Sequence, residues 1–123
     1  MRIIALFAAA VVVCAWLGTS AAEPEKKPAP PDYKRDIAPI LEMKCNRCHT
    51  EKKAGGKLIT TSPAAMIKGG ASGPAIEPGK PDTSLIVELI FYNEMPPKPQ
   101  KPRVTAEELK LLKAWIAAGA PEK

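Results

Sequence analysis

The chain has 123 residues, 18 of them basic and 13 acidic, which gives a formal net charge of +5. This mild excess of positive charge comes without a clustered basic patch or a recognisable docking motif, so it argues against a nucleic-acid-binding protein. The length allows one small domain with a thin apolar core, and such domains often depend on a disulfide, a metal or a cofactor.

Residues 1–22 have the pattern of an export signal. Arg2 supplies a positive charge, Ile3 to Leu17 form an apolar run, and small residues follow as far as Ala22. An uncleaved membrane anchor is the alternative, but the run is shorter than the about 20 residues that span a bilayer. We therefore expect cleavage after Ala22 and a periplasmic or equivalent exported location, with membrane contact only if the segment is retained.

Residues 23–32 form a proline-rich linker without apolar periodicity, which predicts an extended tether. The folded domain is therefore expected at residues 33–123. Caps and periodicity there predict three or four helices and no convincing strand, so the predicted fold class is all-α. Loops rich in glycine and proline separate the helices, at 54–57, 69–81 and 96–102. They are long for so small a domain, which indicates a function or a bound group that they wrap.

The first two helices are predicted mainly from their caps. Asp36 is a plausible N-cap for a helix that tolerates Pro39 in its opening turn and leads directly into Cys45. Ser62 is expected to cap a short second helix, which a proline opens and Gly69 ends.

Two further helices follow. Asp82 is predicted to cap a third helix that ends before Met95-Pro96-Pro97, because residues ahead of proline disfavour helix. The last helix has the clearest pattern: Thr105 opens a capping box that Glu108 completes, and an apolar stripe that includes Trp115 follows.

Residues 45–49, Cys-Asn-Arg-Cys-His, have the C-x-x-C-H pattern of covalent haem attachment. In a helical turn Cys45 and Cys48 lie on one face, so both sulfurs can reach the two vinyl groups along one porphyrin edge. His49 follows at the spacing that lets its imidazole bind iron from below the ring. The pattern predicts one covalently bound haem c as the cofactor.

Three other uses of these cysteines fit the sequence less well. Structural zinc takes four ligands, whereas the chain after residue 22 offers two cysteines and one histidine. A thioredoxin-like pair requires a strand–helix–strand context, and a disulfide between cysteines this close in sequence would stabilise little. A binding module whose cysteines form only a disulfide stays open as an alternative function.

Met95 is the expected second iron ligand, because the chain has a single histidine. Met43 precedes the attachment site by two residues and is expected on the His49 side of the ring, while Met66 is expected to fill the core. Met95 lies outside a helix, before two prolines that hold the backbone extended. Iron held by His49 and Met95 predicts an electron carrier and not an enzyme. The alternative is a haem enzyme or sensor in which the methionine is labile and a small ligand binds.

These residues resemble the planctomycete-type cytochrome c domain, a member of the class I cytochrome c fold. The matching features are Tyr33, Arg35-Asp36-Ile37, Pro39-Ile40-Leu41, the C-x-x-C-H motif, Pro78-Gly79, Ser84-Leu85, Met95-Pro96-Pro97, and Trp115-Ile116 with Gly119-Ala120. In that family the histidine and the methionine before the prolines are the proximal and distal iron ligands, which correspond to His49 and Met95. The resemblance also implies that the first and last helices cross, with Trp115 as the anchor. Thr50 departs from the family, which often has glycine there.

Both predicted ligand loops carry positive side chains, which are Lys52, Lys53, Lys57, Lys98, Lys101 and Arg103. If these surround an exposed haem edge, they would steer an acidic redox partner toward it. The alternative is that they are ordinary solvated loop residues. The sequence as a whole predicts a monomeric, monohaem c-type cytochrome that carries single electrons between redox-partner proteins in the periplasm.

Overall fold

The structure is a computed structural model and describes residues 28–123. The predicted signal at 1–22 and the first half of the predicted linker lie outside the described residues. Residues 28–123 contain four α-helices and no β-strand, which confirms the all-α class. No helix in this range is long and apolar enough to cross a membrane. The helices are α1, Ala38–Lys44; α2, Pro63–Lys68; α3, Leu85–Phe91; and α4, Ala106–Ala117.

The first helical segment begins earlier than predicted and has a different N-cap. A π-helical turn, Tyr33–Ile37, precedes α1, and the Asp32 carboxylate caps it by accepting a hydrogen bond from the Arg35 amide at 2.8 Å. The prediction of Asp36 as the N-cap was therefore wrong. The Asp36 carboxylate instead accepts hydrogen bonds from the Arg35 guanidinium and the Asp32 amide, each at 2.8 Å. These bonds stabilise its charged form and lower the pKa of Asp36 to about 2.

Helices α2 and α4 begin where the sequence predicted. The Ser62 hydroxyl accepts a hydrogen bond from the Ala65 amide at 3.2 Å, and Gly69 ends α2 with a φ of 77°, a conformation that favours glycine. At α4 the Thr105 hydroxyl accepts from the Glu108 amide, and the Glu108 carboxylate accepts from the Thr105 amide. Both predictions are confirmed because each cap involves only residues within one turn of the chain.

Asp82 does not cap α3, contrary to the prediction. It lies in a short 3-10 turn, and its carboxylate pairs with Lys113 of α4 at 2.7 Å. Ser84 directly precedes α3, but its hydroxyl accepts from the Glu77 amide at 2.9 Å and donates to the Lys80 carbonyl at 2.8 Å. Asp82 is thus paired with a distant helix and the Ser84 hydroxyl holds the preceding loop, so no side chain caps α3.

The core joins the first and last helical segments. Trp115 of α4 is fully buried, and its ring lies 5.6 Å from that of Tyr33, centroid to centroid, in a stacked arrangement. Its indole nitrogen donates a hydrogen bond to the Pro121 carbonyl at 2.8 Å. The first and last helical segments therefore meet at Trp115, the anchor that the family resemblance implied. Met66 is fully buried in the same core, as predicted.

Candidate functional site

The C-x-x-C-H segment directly continues α1. Cys45 is the C-cap of that helix, and its carbonyl accepts hydrogen bonds from the amides of Cys48 at 3.0 Å and His49 at 3.1 Å. This single turn places the two cysteines on one side of the backbone. Among residues 28–123 neither cysteine forms a disulfide, and both border a cleft that His49 also lines.

The loop after His49 folds back and fixes the turn. The Gly55 amide donates to the Cys48 carbonyl at 2.9 Å, and the Thr60 amide donates to the His49 carbonyl at the same distance. The buried Thr60 hydroxyl also donates to the side-chain oxygen of Asn46 at 2.6 Å. These bonds hold the turn from both ends, so the cysteines and the histidine are positioned by the protein itself.

The two ring nitrogens of His49 differ in their surroundings. Nδ1 is buried and has no hydrogen-bond partner among the described residues. Gly55 lies against this edge of the ring, where an added Cβ would lie 3.4 Å from Cε1 and 3.7 Å from Nδ1. Because Nδ1 is enclosed and the ring borders the cleft, Nε2 is the nitrogen available to bind a metal there.

The cleft lies between α1, α3 and the loop that follows α3. The cleft is open to solvent at its mouth. Its walls are mainly aliphatic, with side chains from Leu58, Ala75, Leu85, Ile86, Leu89, Ile90 and Val104. Such a lining suits a mostly apolar group.

The environment of Cys45 favours a neutral sulfur. Burial raises the pKa of its thiol to about 11, and the negative charge of Glu108 adds to the rise. Zinc ligands and redox-active cysteines work as thiolates, which a lowered pKa favours. A thioether carries no charge, so an apolar wall does not oppose it. The described residues also contain no group of three or more histidine, cysteine, aspartate or glutamate side chains that could hold a metal ion, so the site fits covalent attachment of a porphyrin better than structural zinc.

Met95 borders the same cleft as Cys45, Cys48 and His49, so the structure brings all four predicted site residues together. The Met95 amide donates to the Leu89 carbonyl at 3.1 Å, which ties the residue to the end of α3. Its side chain brings a thioether, a soft ligand that haem iron accepts, to a cleft that already holds an imidazole.

The other two methionines lie in different environments. Met66 is buried in the core and does not border the cleft, in agreement with the sequence analysis. Met43 of α1, in contrast, borders the cleft and is 53% exposed. The cleft is thus lined by two thioethers where the sequence analysis expected only one.

Two cationic side chains at the site make internal contacts that were not predicted. The Lys44 side chain is only 5% exposed; its ammonium donates to the Arg103 carbonyl at 2.6 Å and pairs with Glu108 at 3.2 Å. The Arg103 guanidinium donates to the carbonyls of Pro96 at 2.7 Å and Asn93 at 3.1 Å. Arg103 is therefore a half-buried internal donor and not one of the free surface charges that the sequence suggested. No local sequence signal could have revealed either residue, because Lys44 and Arg103 are 59 positions apart.

Residues 45–99 match the model of a protein family described as Planctomycete cytochrome C. The matched segment includes the two cysteines, the histidine and Met95, and it confirms the resemblance that the sequence analysis identified. Neither a curated protein nor a solved structure gave a significant match to the chain.

Proposed function

We propose that the chain is a monohaem c-type cytochrome that carries single electrons between redox partners outside the cytoplasm, because residues 45–99 match the Planctomycete cytochrome C family model. In this proposal Cys45 and Cys48 hold the haem covalently, and His49 and Met95 ligate its iron. The supporting observation is that these four side chains border one apolar cleft. The haem would supply the one-electron chemistry, and His/Met ligation raises its reduction potential.

The protein around the cleft would set the potential and the access to it. Aliphatic side chains of α3 line the cleft and would keep water from the haem. A dry, apolar surrounding disfavours the extra positive charge of ferric iron, so it would favour the reduced, ferrous state. The two thioethers would fix one porphyrin edge against α1, and the loop after His49 would hold the imidazole in place.

A haem enzyme or sensor is the second candidate, and the exposure of Met95 favours it. The Met95 side chain is 37% exposed, so a small ligand has a path to the position that the thioether would occupy. In that case Met95 would be displaced readily, and the iron would bind a small molecule such as carbon monoxide.

Intact-mass and absorption measurements on protein exported by a haem-loading host test the proposal. We expect a polypeptide that starts at or near Glu23, carries one haem, and shows a six-coordinate spectrum that carbon monoxide does not readily change. A mass without haem would identify a disulfide-bearing module, and a five-coordinate spectrum would identify the enzyme or sensor. Recovery of Met1 in a membrane fraction would show that residues 1–22 form an anchor.

The partner in this proposal is acidic, and exposed lysines in the two loops that follow His49 and Met95 support it. Lys101 borders the cleft, and the other exposed lysines of these loops are Lys52, Lys53, Lys57 and Lys98. Their attraction to an acidic protein would raise the encounter rate more than the affinity.

Electron transfer to an acidic partner should therefore slow steeply as salt is added, since attraction is screened over about 10 Å at 0.1 M ionic strength. Reversing the charge at Lys98 and Lys101 should flatten this dependence in stopped-flow measurements. The matched control reverses Lys34 and Lys110, which are exposed but do not border the cleft. A rate that ignores salt, or equal effects of the two double variants, would place docking elsewhere or on apolar contact.

A further inference from the structure

The loop that carries Met95 is held from outside by one side chain. Arg103 donates from Nη1 to the Pro96 carbonyl at 2.7 Å and from Nη2 to the Asn93 carbonyl at 3.1 Å. These two carbonyls lie on either side of Met95 in the chain. The planar guanidinium thus spans the segment 93–96 and fixes the backbone both before and after the methionine.

Arg103 is itself held by the attachment side of the cleft. Its carbonyl accepts a hydrogen bond from the Lys44 ammonium at 2.6 Å, and Lys44 directly precedes Cys45. Glu108 offsets the cost of burying the Lys44 charge by pairing with it at 3.2 Å. A continuous path of contacts therefore runs from the attachment turn through Lys44 and Arg103 to the segment that carries Met95.

The other hydrogen bonds of this segment come from its own amides and lead back to α3. The Asn93 amide donates to the Ile90 carbonyl at 3.0 Å, and the amides of Glu94 and Met95 donate to the Leu89 carbonyl at 2.8 and 3.1 Å, so these bonds fix only the beginning of the loop. Hydrogen bonds from a charged donor stabilise a structure more than neutral ones do. The two bonds from Arg103 are thus large relative to the other restraints on a short exposed loop.

We propose that Arg103 is the positioning residue for the distal ligand, and that its guanidinium keeps Met95 directed into the cleft while Lys44 keeps Arg103 in register with the attachment turn. This inference rests on the proposed His49 and Met95 ligation and extends it. Arg103 does not touch the iron site. Its hydrogen bonds stabilise the closed form of the loop, in which Met95 borders the cleft, relative to an open form in which Met95 has left the cleft.

The test compares the holoprotein with its Arg103→Gln and Arg103→Lys variants. The readouts are the weak near-infrared sulfur-to-iron band of the oxidised protein and the affinity for added imidazole. In Arg103→Gln the band should weaken and imidazole should bind about tenfold more tightly, the change that corresponds to losing roughly one charged hydrogen bond from the closed loop. Arg103→Lys keeps the charge but not the planar fork, so its affinity should lie between those of the wild type and Arg103→Gln.

Arg35→Gln is the matched control, since Arg35 is an exposed arginine whose guanidinium pairs with Asp36 away from the cleft. A full band and unchanged imidazole affinity in Arg103→Gln would overturn the inference. If Arg103→Gln yields no folded holoprotein, Arg103→Lys decides the question by the same two readouts. A wild-type protein without the band, or a Met95→Ala variant that retains it, would instead overturn the proposed ligation.

Discussion

Replacing both Cys45 and Cys48 by serine should abolish covalent haem attachment, the largest effect we expect from any substitution. Acid–acetone extraction should then remove all colour from the protein, whereas the wild type should keep it. The single variants should retain one thioether and weaker attachment. The apolar core is thin, and without haem the apolar walls of the cleft have nothing to cover them. The double variant should therefore also be largely unfolded by circular dichroism.

Cys14→Ser provides a control within the same chain. Cys14 lies in the apolar run of the predicted signal, so this change should leave the yield and the covalent colour of the exported protein unaltered. Colour that stays with the Cys45→Ser, Cys48→Ser protein after extraction would contradict the assignment of these residues.

Replacing Met95 by alanine should remove the distal ligand while leaving the haem attached. The oxidised protein should lose its near-infrared sulfur-to-iron band and bind carbon monoxide, when reduced, far more readily. The reduction potential should fall by more than about 59 mV, because thioether ligation favours ferrous iron. A shift of this size corresponds to a tenfold change in the equilibrium constant of a one-electron reduction.

Two methionine variants serve as controls for Met95→Ala. Met66→Leu conserves volume in the buried core and should leave the band intact. Met43→Ala tests the second thioether that borders the cleft, and we expect it too to leave the band unchanged. If the band disappears in Met43→Ala and survives in Met95→Ala, the distal ligand comes from the end of α1.

Features that depend on neighbouring residues were predictable from the sequence. The Ser62 cap, the Thr105 capping box and the turn from Cys45 to His49 all involve partners within four positions. The residues at 45–49 that are predicted to bind haem all lie in that one turn. The two prolines after Met95 led to the prediction that its loop borders the cleft, and it does. The local sequence therefore determined the helical class and the predicted ligand set.

The tertiary structure decided which polar side chains serve the site. Asp82 has the right type for an N-cap, but its carboxylate pairs with Lys113 of α4 instead. Arg103 was expected to be a surface charge, yet folding brings the Lys44 ammonium to its carbonyl. A charged side chain takes whichever partner lowers its cost of burial, and that partner is set by packing between distant segments, which no local pattern in the sequence specifies.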